Sequence, residues 1–519
     1  MQNSQIINRM QPTKDNNLIV VFSAPIRTIF NTILIFFFMI FGLTQCTQAP
    51  KEQPEKTISY ADFQEKAEQA LDKALETKKQ ELIEYLNMAG EKAASVKGDQ
   101  LFLNFFRSKL AFNQIRNQNS LPTELREKAN ALDKAVNDHF LVNYERFYDI
   151  LMIDTSGYIF YTVRKEKDWQ QNIFAASFEN STLSGKLKEQ QSFIDFSFYE
   201  ISQNPSAFFI EPIKHDGEFL GWIVLQFSVS NINNIFSPID ALGSTGEVIL
   251  VNQDHYMLTD SRFVPQSTIL TKQLSNENIH AKFTMEQGHK QVIDYRGFSV
   301  LSSFETFTFQ NSKWLVISKI NEAEIKTNYY KKYPNKLKTT LQLSERNILP
   351  TQQPAKKEED IIIVKMDEYQ RSTDQTIGTF GISKCTGVLL TLPEKFSYFA
   401  HISPYDKVYE NSKTDVLSHL LSKIKFLDIT RSEQQLMEIT IIAPHTKTVE
   451  NITKILINEG FFINQIYVAQ NHNATFANVF HSPKLNETTI QWVGKDTLYE
   501  TISSKTLKNL NDYSVLPNE

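Results

Sequence analysis

Cysteine and glycine are scarce in this sequence, and each shortage excludes a class of protein. The 519 residues include 2 Cys, too few for a disulfide framework or a cysteine-rich zinc site. Gly is limited to 16 residues, while aromatic residues make up 12% of the chain and include 38 Phe, so the bulk of the chain is globular rather than low-complexity. The length predicts about two to four domains.

Neither sign of charge dominates the chain. The 54 Lys and Arg residues oppose 59 Asp and Glu residues, which gives a formal net charge of −5. No long basic run carries the interleaved aromatic side chains of a nucleic-acid groove, so nucleic acid is not an expected partner. No metal site or other cofactor is predicted, because neither HxH nor HxxxH spacing occurs among His419, His445, His472 and His481.

The sequence has one long apolar run and lacks a second. Residues 29–43 read IFNTILIFFFMIFGL and follow an arm that carries Arg and Lys. This order is typical of a signal or anchor segment, and it predicts that the rest of the chain lies outside the cytoplasm, in the bacterial cell envelope. Cys46 follows as in a lipoprotein signal, although Gln45 stands where a small residue is usual. Lipidation of Cys46, an uncleaved membrane anchor and a wholly cytoplasmic chain are the alternatives.

Residues 57–325 combine one long helix with alternating strands. Ser59 opens a capping-box pattern, and apolar residues then recur at helical spacing from Ala67 to Leu86. From Phe147 onward, short alternating strands are broken by Asp and Gly, first in FYDILMIDTSGYIFYTV and again from GSTGEVILVNQDHYMLTDSRF onward. The pattern predicts two similar β-rich modules behind one amphipathic helix.

This arrangement resembles the double Cache ectodomains of bacterial chemoreceptors, sensor kinases and cyclases. The matching pieces include IDFSFYEISQNPSAFFIEPI and DYRGFSVLSSF, the latter followed by Trp314 and Glu324. The resemblance implies PAS-like antiparallel sheets and noncatalytic binding of a small molecule in the first module. The motif of amino-acid-binding members is not evident. Polar or aromatic residues that could face a ligand, with a structural role as the favoured alternative for each, are Tyr161, Arg164, Asp195 and Tyr199.

A second domain follows a polar stretch. Residues 326–358 are polar and carry three prolines, so we interpret them as a linker. Residues 359–519 alternate strand-like and helical segments, from DIIIVKM through TDVLSHLLSKI and EITIIAP to TTIQWV, which predicts a separate mixed α/β layered domain. The fold prediction is therefore α+β, with segments 1–56, 57–325, 326–358 and 359–519.

Three residues of catalytic type lie in the second domain, Thr379 and Cys385 in TFGISKC and His401 in FSYFAHISP. A cysteine nucleophile needs a base, because free Cys has a pKa of ~8.5. A hairpin of GVLLTL and FSYFAHI would bring His401 towards Cys385, Gly381 would free the backbone near the sulfur, and Thr379 could orient the imidazole. A buried structural cysteine is the alternative.

The pattern Thr-x-Gly-x-x-x-Cys followed by Ala-His-Ile-x-Pro resembles the chemoreceptor glutamine deamidase (CheD) family. That resemblance implies hydrolysis of protein glutamine side chains to glutamate, with Cys385 as nucleophile, His401 as base and Thr379 as orienting residue. Ser383 and Lys384 depart from the family pattern. We therefore predict a membrane-attached sensor and deamidase whose partners are a small-molecule ligand, a glutamine-bearing protein and the membrane. A noncatalytic ligand-sensing lipoprotein is the alternative.

Overall fold

The computed structural model describes residues 58–115, 123–178, 181–237, 242–274, 277–344, 361–410, 413–443, 446–495 and 498–513. Residues from Ile58 onward form one compact unit. The apolar run at 29–43 and Cys46 lie outside the described residues, so the predictions made on them stay predictions. Within the described residues, no helix combines the length and the apolar character needed to cross a membrane.

A 35-residue helix, α1 (Tyr60–Ala94), begins the described chain. Ser59 caps it, because the hydroxyl accepts the Asp62 N–H while the Asp62 carboxylate accepts the Ser59 N–H. The apolar face of α1 packs along both sheets of the region that follows. The long amphipathic helix expected from the sequence is thus present, and two more helices follow it, α2 (Gln100–Ile115) and α3 (Thr123–Asn143).

The first module is a five-stranded antiparallel sheet in the order β2-β1-β5-β4-β3. One face packs on α1 and the other is covered by the segment that connects β2 to β3. Its elements are β1 (Asp149–Asp154), β2 (Ile159–Thr162), α4 (Thr182–Lys188), β3 (Phe193–Tyr199), β4 (Asn204–His215), β5 (Glu218–Ser228) and α5 (Ser230–Phe236).

The second module repeats this plan with four antiparallel strands in the order β6-β9-β8-β7. A turn at Ser244 and Thr245 is held by Glu324, whose carboxylate accepts both backbone N–H groups, at 2.9 and 2.8 Å. The elements are β6 (Glu247–Val251), α6 (Glu277–Met285), β7 (Gln287–Ile293), β8 (Ser299–Phe309) and β9 (Ser312–Asn321).

The prediction of a polar linker is wrong for residues 326–343, which form two helices separated by Tyr333. The helices are α7 (Glu322–Lys332) and α8 (Pro334–Leu343), and Pro334 stands in the first turn of α8, where proline is tolerated. Their apolar residues recur at helical spacing and are buried in the core of the second domain. These residues are Tyr329, Tyr330, Tyr333, Leu337 and Leu341.

The second domain contains two five-stranded sheets that face each other, and helices cover the outer face of one of them. The first sheet has the order β10-β12-β17-β18-β19 and the second β11-β14-β13-β15-β16. The strands are β10 (Ile362–Ile363), β11 (Glu368–Ser372), β12 (Ile377–Ile382), β13 (Thr386–Leu392), β14 (Phe396–Ile402), β15 (Glu438–Ile442), β16 (Ile466–Ala469), β17 (Phe476–Ser482), β18 (Glu487–Val493) and β19 (Tyr499–Ser503). The helices are α9 (Val416–Lys425), α10 (Arg431–Gln435), α11 (Thr446–Asn458) and α12 (Leu510–Tyr513).

Candidate functional site

The hairpin expected around the catalytic-type residues is present. Strands β13 and β14 pair antiparallel, and Gly387 lies directly opposite His401. Because opposed residues share a face of the sheet, His401 lies on the same face as Gly387, which has no side chain. Cys385, in the bend before β13, packs in the apolar cluster that contains Leu389 and Phe399 of this face. That face is the one turned towards the other sheet, as the burial of Phe399 between the sheets shows.

Thr379 and His401 meet across the gap between the two sheets. The Thr379 Oγ1 donates to the carbonyl oxygen of Val364 at 2.8 Å and lies 2.7 Å from His401 Nδ1. Since the hydroxyl proton is used on Val364, we infer that Nδ1–H donates to the threonine oxygen. This bond orients the ring and leaves Nε2 as the basic nitrogen of a neutral imidazole.

The basic nitrogen of His401 has no hydrogen-bond partner among the described residues. Nε2 is buried and accepts no hydrogen bond from any described residue. Burial lowers the pKa of His401 below its ordinary value, and the Asp367 carboxylate opposes this only in part. The imidazole is therefore neutral near pH 7, which is the protonation state of a general base.

Cys385 lies in the bend that carries the chain from β12 in one sheet to β13 in the other. It is 9% exposed and packs in the apolar cluster between the sheets. Burial raises the pKa of the Cys385 thiol, and the Asp367 carboxylate raises it further, so the resting group is a thiol. Its sulfur makes no hydrogen bond to His401 Nε2. The structure thus joins Thr379 to His401 and places Cys385 in the apolar cluster between the same two sheets without bonding it to them.

Tyr409 is a further residue of this site, which the sequence did not indicate. Its hydroxyl lies 2.8 Å from the Lys384 carbonyl oxygen, to which it donates, and 2.7 Å from Thr386 Oγ1. The phenol therefore holds the residues on both sides of Cys385. No local motif marks Tyr409, because the contact forms only when the chain returns to the bend.

Gly381 has the backbone conformation that the sequence led us to expect. Its φ is +71°, in the left-handed region that favours glycine, and it lies where the register of β12 with β17 shifts. Its N–H donates to Asn478 Oδ1 at 3.1 Å, so this amide is already occupied. Beside it, Phe380 is exposed and packs edge-on against Phe480.

Two of the four predicted ligand contacts are buried in the first module. Tyr161 packs on the helix side of the sheet, with its ring edge-on to Phe105 at 4.7 Å. Tyr199 lies on the opposite side, and its hydroxyl donates to Asp168 at 2.9 Å. The two tyrosines therefore do not share one binding surface.

The other two predicted contacts are also occupied by protein groups. Asp195 accepts a hydrogen bond from Trp314 Nε1 of the second module at 2.8 Å. Arg164 is exposed, donates to the Tyr148 carbonyl oxygen and stacks its guanidinium over the Tyr148 ring at 4.5 Å. The ligand role of all four residues stays a prediction.

Cavities lie elsewhere in the Cache-like region. One of about 660 Å³ lies between α1 and strands β4 and β5, where Lys97, Glu211, Lys214 and Trp222 line it. Lys97 and Glu211 form an ion pair at 2.6 Å. A second cavity, of about 220 Å³, lies in the second module. None of the four predicted ligand contacts lines either cavity.

Side chains of His, Cys, Asp and Glu are the usual protein ligands of metal ions such as zinc. In the part of the chain that the structure describes, no group of three or more His, Cys, Asp or Glu side chains is arranged to hold a metal ion. His481, the buried histidine of β17, is bonded instead to Ser397 Oγ at 2.7 Å and Thr488 Oγ1 at 3.0 Å.

Comparison with solved structures gives weak likenesses to sensor domains. The ligand-binding domain of the Pseudomonas aeruginosa PAO1 chemoreceptor PctB in complex with L-Arg is 17% identical, with TM-score 0.28, over 47% of this chain and 96% of that one. The sensor domain of the V. cholerae histidine kinase DctB is 10% identical, with TM-score 0.34, over 50% and 98%. A domain of a sensory box/GGDEF family protein from Vibrio parahaemolyticus is 11% identical, with TM-score 0.35, over 50% and 99%.

A family assignment comes from the sequence. No match was found among curated proteins. The Cache domain family matches residues 59–329, more than half of the chain, and these residues contain the long helix and both modules. The match does not reach the second domain, so the glutamine deamidase resemblance stays a prediction. The chain belongs to the Cache domain family.

Proposed function

We propose that this Cache protein is an extracytoplasmic, membrane-attached sensor whose second domain hydrolyses protein glutamine side chains to glutamate. The observation that supports the enzymatic part is the Thr379–His401 hydrogen bond, which orients an imidazole whose Nε2 is buried and unbonded. Nucleophile, base and orienting group are the three parts of a cysteine amidohydrolase site, and the position of Cys385 in the apolar cluster between the same two sheets supports its role as the nucleophile.

The reaction proceeds in two halves. Nε2 of His401 removes the Cys385 proton as the sulfur attacks the carboxamide carbon, and the resulting imidazolium donates that proton to the departing ammonia. Water, activated by the same nitrogen, then attacks the thioester. The C–S bond breaks, the sulfur receives through His401 one proton of the water, and the other proton passes to solvent as the carboxylate is released.

The raised pKa of Cys385 favours one of two modes of activation. A preformed thiolate–imidazolium pair requires a lowered thiol pKa, whereas burial and Asp367 raise it here. His401 therefore acts on the neutral thiol as substrate binds. Hydrogen bonds of catalytic groups are commonly longer before substrate is bound, so the missing bond between the sulfur and Nε2 does not contradict this role.

The sensing part is supported by a cavity and a continuous connection. The 660 Å³ cavity of the first module has the size of a small-molecule site and presents both charges and an indole. From the second module, β9 runs directly into α7, and Thr327 Oγ1 on α7 accepts the Ile463 N–H of the second domain at 3.1 Å. Ligand-dependent movement of the Cache region would thus act on the enzymatic domain through a packed helix.

The experiment is a deamidation assay with the full chain and an extracytoplasmic protein extract as substrate. Ammonia release and the mass change of glutamine to glutamate in peptides are measured for wild type, Cys385→Ala, His401→Ala and the double variant. We expect each single variant to lose activity by a similar large factor and the double variant to lose little more, because the two residues act as one unit. Thr379→Val should lose less, since threonine transfers no proton.

His481→Gln is the matched control, because it alters another buried histidine between the same sheets. It should keep turnover per folded molecule. Equal conversion by wild type and Cys385→Ala would refute the nucleophile. If neither wild type nor any variant converted glutamine to glutamate, the enzymatic part of the proposal would be refuted and the sensing part would remain.

A noncatalytic sensor is the second candidate function. The observation that favours it is the position of Cys385 in an apolar cluster, without a hydrogen bond to His401. In that case Cys385→Ala would lower the free energy of unfolding, by up to a few kcal/mol, and change no reaction.

A further inference from the structure

The second Cache module contains a cavity that its sequence did not suggest. The cavity has a volume of about 220 Å³ and lies between the sheet, helix α6 and the segment 272–274. Its apolar walls include Ile249 and Ile317 on the sheet and Leu274 opposite them. This space suits a ligand of few heavy atoms, since one water molecule occupies about 30 Å³ in the liquid.

Lys282 of α6 lines this cavity and is 2% exposed. Its ammonium donates to Ser302 Oγ at 3.1 Å, and that hydroxyl in turn donates to the Lys290 carbonyl oxygen at 2.7 Å. The ammonium also lies 5.4 Å from the centre of the Phe304 ring. An ammonium has three N–H donors, and the described residues accept only one of those of Lys282.

The carboxylates near Lys282 are already engaged by other cations. Lys319 lies 3.1 Å from Glu247 Oε1 and 2.6 Å from Asp294 Oδ2. Asp294 is also paired with Arg296, at 2.7 Å. No described carboxylate forms an ion pair with Lys282.

The cavity wall therefore carries an excess of positive charge. The described residues that line the cavity include three lysines and one carboxylate. The lysines are Lys272, Lys282 and Lys319, and the carboxylate is that of Asp294. Burial lowers the pKa of Lys282 to about 7, and the charges of Lys319 and Lys290 lower it too, while Asp294 opposes them. A buried ammonium is costly without a partner, and an anion in the cavity would provide one.

We propose that this cavity is a second ligand site, which binds a small carboxylate through the Lys282 ammonium. The carboxylate oxygens accept the two remaining Lys282 N–H groups, Lys272 adds long-range attraction, and the short carbon chain lies against Ile249 and Ile317. The site is separate from the first-module cavity and does not depend on the enzymatic part of the proposed function.

The test is a thermal-shift and calorimetric titration of the full chain with acetate and pyruvate, with acetamide as the neutral analogue. The carboxylates should raise the melting temperature and acetamide should not, since only a ligand that binds the folded state stabilises it. Lys282→Met should weaken carboxylate binding about ten- to a hundredfold, the effect of losing a hydrogen bond to a charged group.

Lys290→Met is the matched control, because it removes the same charge from the same module without touching the cavity wall, and it should keep binding. Val292→Phe would fill the cavity and leave every charge in place, so it should abolish binding even if Lys282→Met does not fold. No carboxylate-dependent shift in wild type, an equal shift with acetamide, or full binding by Val292→Phe would overturn the proposal.

Discussion

Trp314 Nε1 donates a hydrogen bond to Asp195 Oδ2 at 2.8 Å, and this contact links a strand of the second Cache module to a strand of the first. The indole is fully buried among phenylalanine rings that include Phe193 and Phe309. A buried indole N–H needs an acceptor, because it cannot bond to water there. Asp195 therefore stabilises the contact between the two Cache modules.

Replacement of Asp195 should lower the free energy of unfolding when the new side chain has no acceptor for the Trp314 N–H. Asp195→Ala leaves the Trp314 N–H unsatisfied and should lower the free energy of unfolding by about 1–3 kcal/mol. Asp195→Asn keeps an acceptor oxygen and should cost less. Urea denaturation measures both, and equal losses in the two variants would contradict the role of the hydrogen bond.

The pH dependence of Cys385 alkylation tests its protonation state. Because burial raises its pKa and iodoacetamide attacks the thiolate, Cys385 should be labelled more slowly at pH 7 than in the urea-denatured chain, and the rate should still rise about tenfold per unit above pH 8. Peptide mapping separates this label from that on Cys46. Labelling at pH 6 that exceeds the denatured rate would instead indicate a preformed ion pair with His401.

His481 should make the second domain sensitive to acid. Burial lowers its pKa from about 6.5 to about 4, so the folded state excludes a proton that the unfolded state binds. The contribution of His481 to the free energy of unfolding is therefore fully present above about pH 6.5. It is lost as the pH drops towards 4, and the loss amounts to about 3 kcal/mol in total.

Urea denaturation of wild type and His481→Gln at pH 7 and pH 5 measures this contribution. The variant should lose less stability between the two pH values, and the exposed-site variant His419→Gln should behave as wild type. Because burial lowers the pKa of His401 as well, part of the dependence should persist. An unchanged loss in His481→Gln would refute the assignment.

The boundary of the second domain is testable with two fragments. Residues 359–519 lack α7 and α8, whose Tyr329 and Leu337 are buried in that domain's core, and each such side chain contributes about 1.5–3 kcal/mol. Residues 322–519 should therefore melt cooperatively at a clearly higher temperature than residues 359–519. If circular dichroism gave equal melting temperatures for the two fragments, the helices α7 and α8 would not contribute to the second domain, and its boundary would lie at residue 359.

Local pattern alone was sufficient for much of the architecture. The capping box at Ser59 and the apolar spacing from Ala67 to Leu86 predicted the long helix, and alternation predicted the strands of both Cache modules. The hairpin that carries His401 was also predictable, since two strand-like, mainly apolar runs flank the short segment PEK. In each case the cause lies within a few residues of sequence, where helix and strand periodicity act.

Tertiary structure decided the rest. The sequence of residues 322–343 is mainly polar, which favoured a linker. Their packing in the second domain shows that Tyr329 and Leu337 belong to its core. Tyr409 reaches the Cys385 bend, and Lys282 lines a cavity whose nearby carboxylates are already paired, through contacts between segments far apart in sequence. Burial and long-range pairing set the protonation of Cys385, His401 and Lys282, because the dielectric and charges around a side chain come from what packs against it.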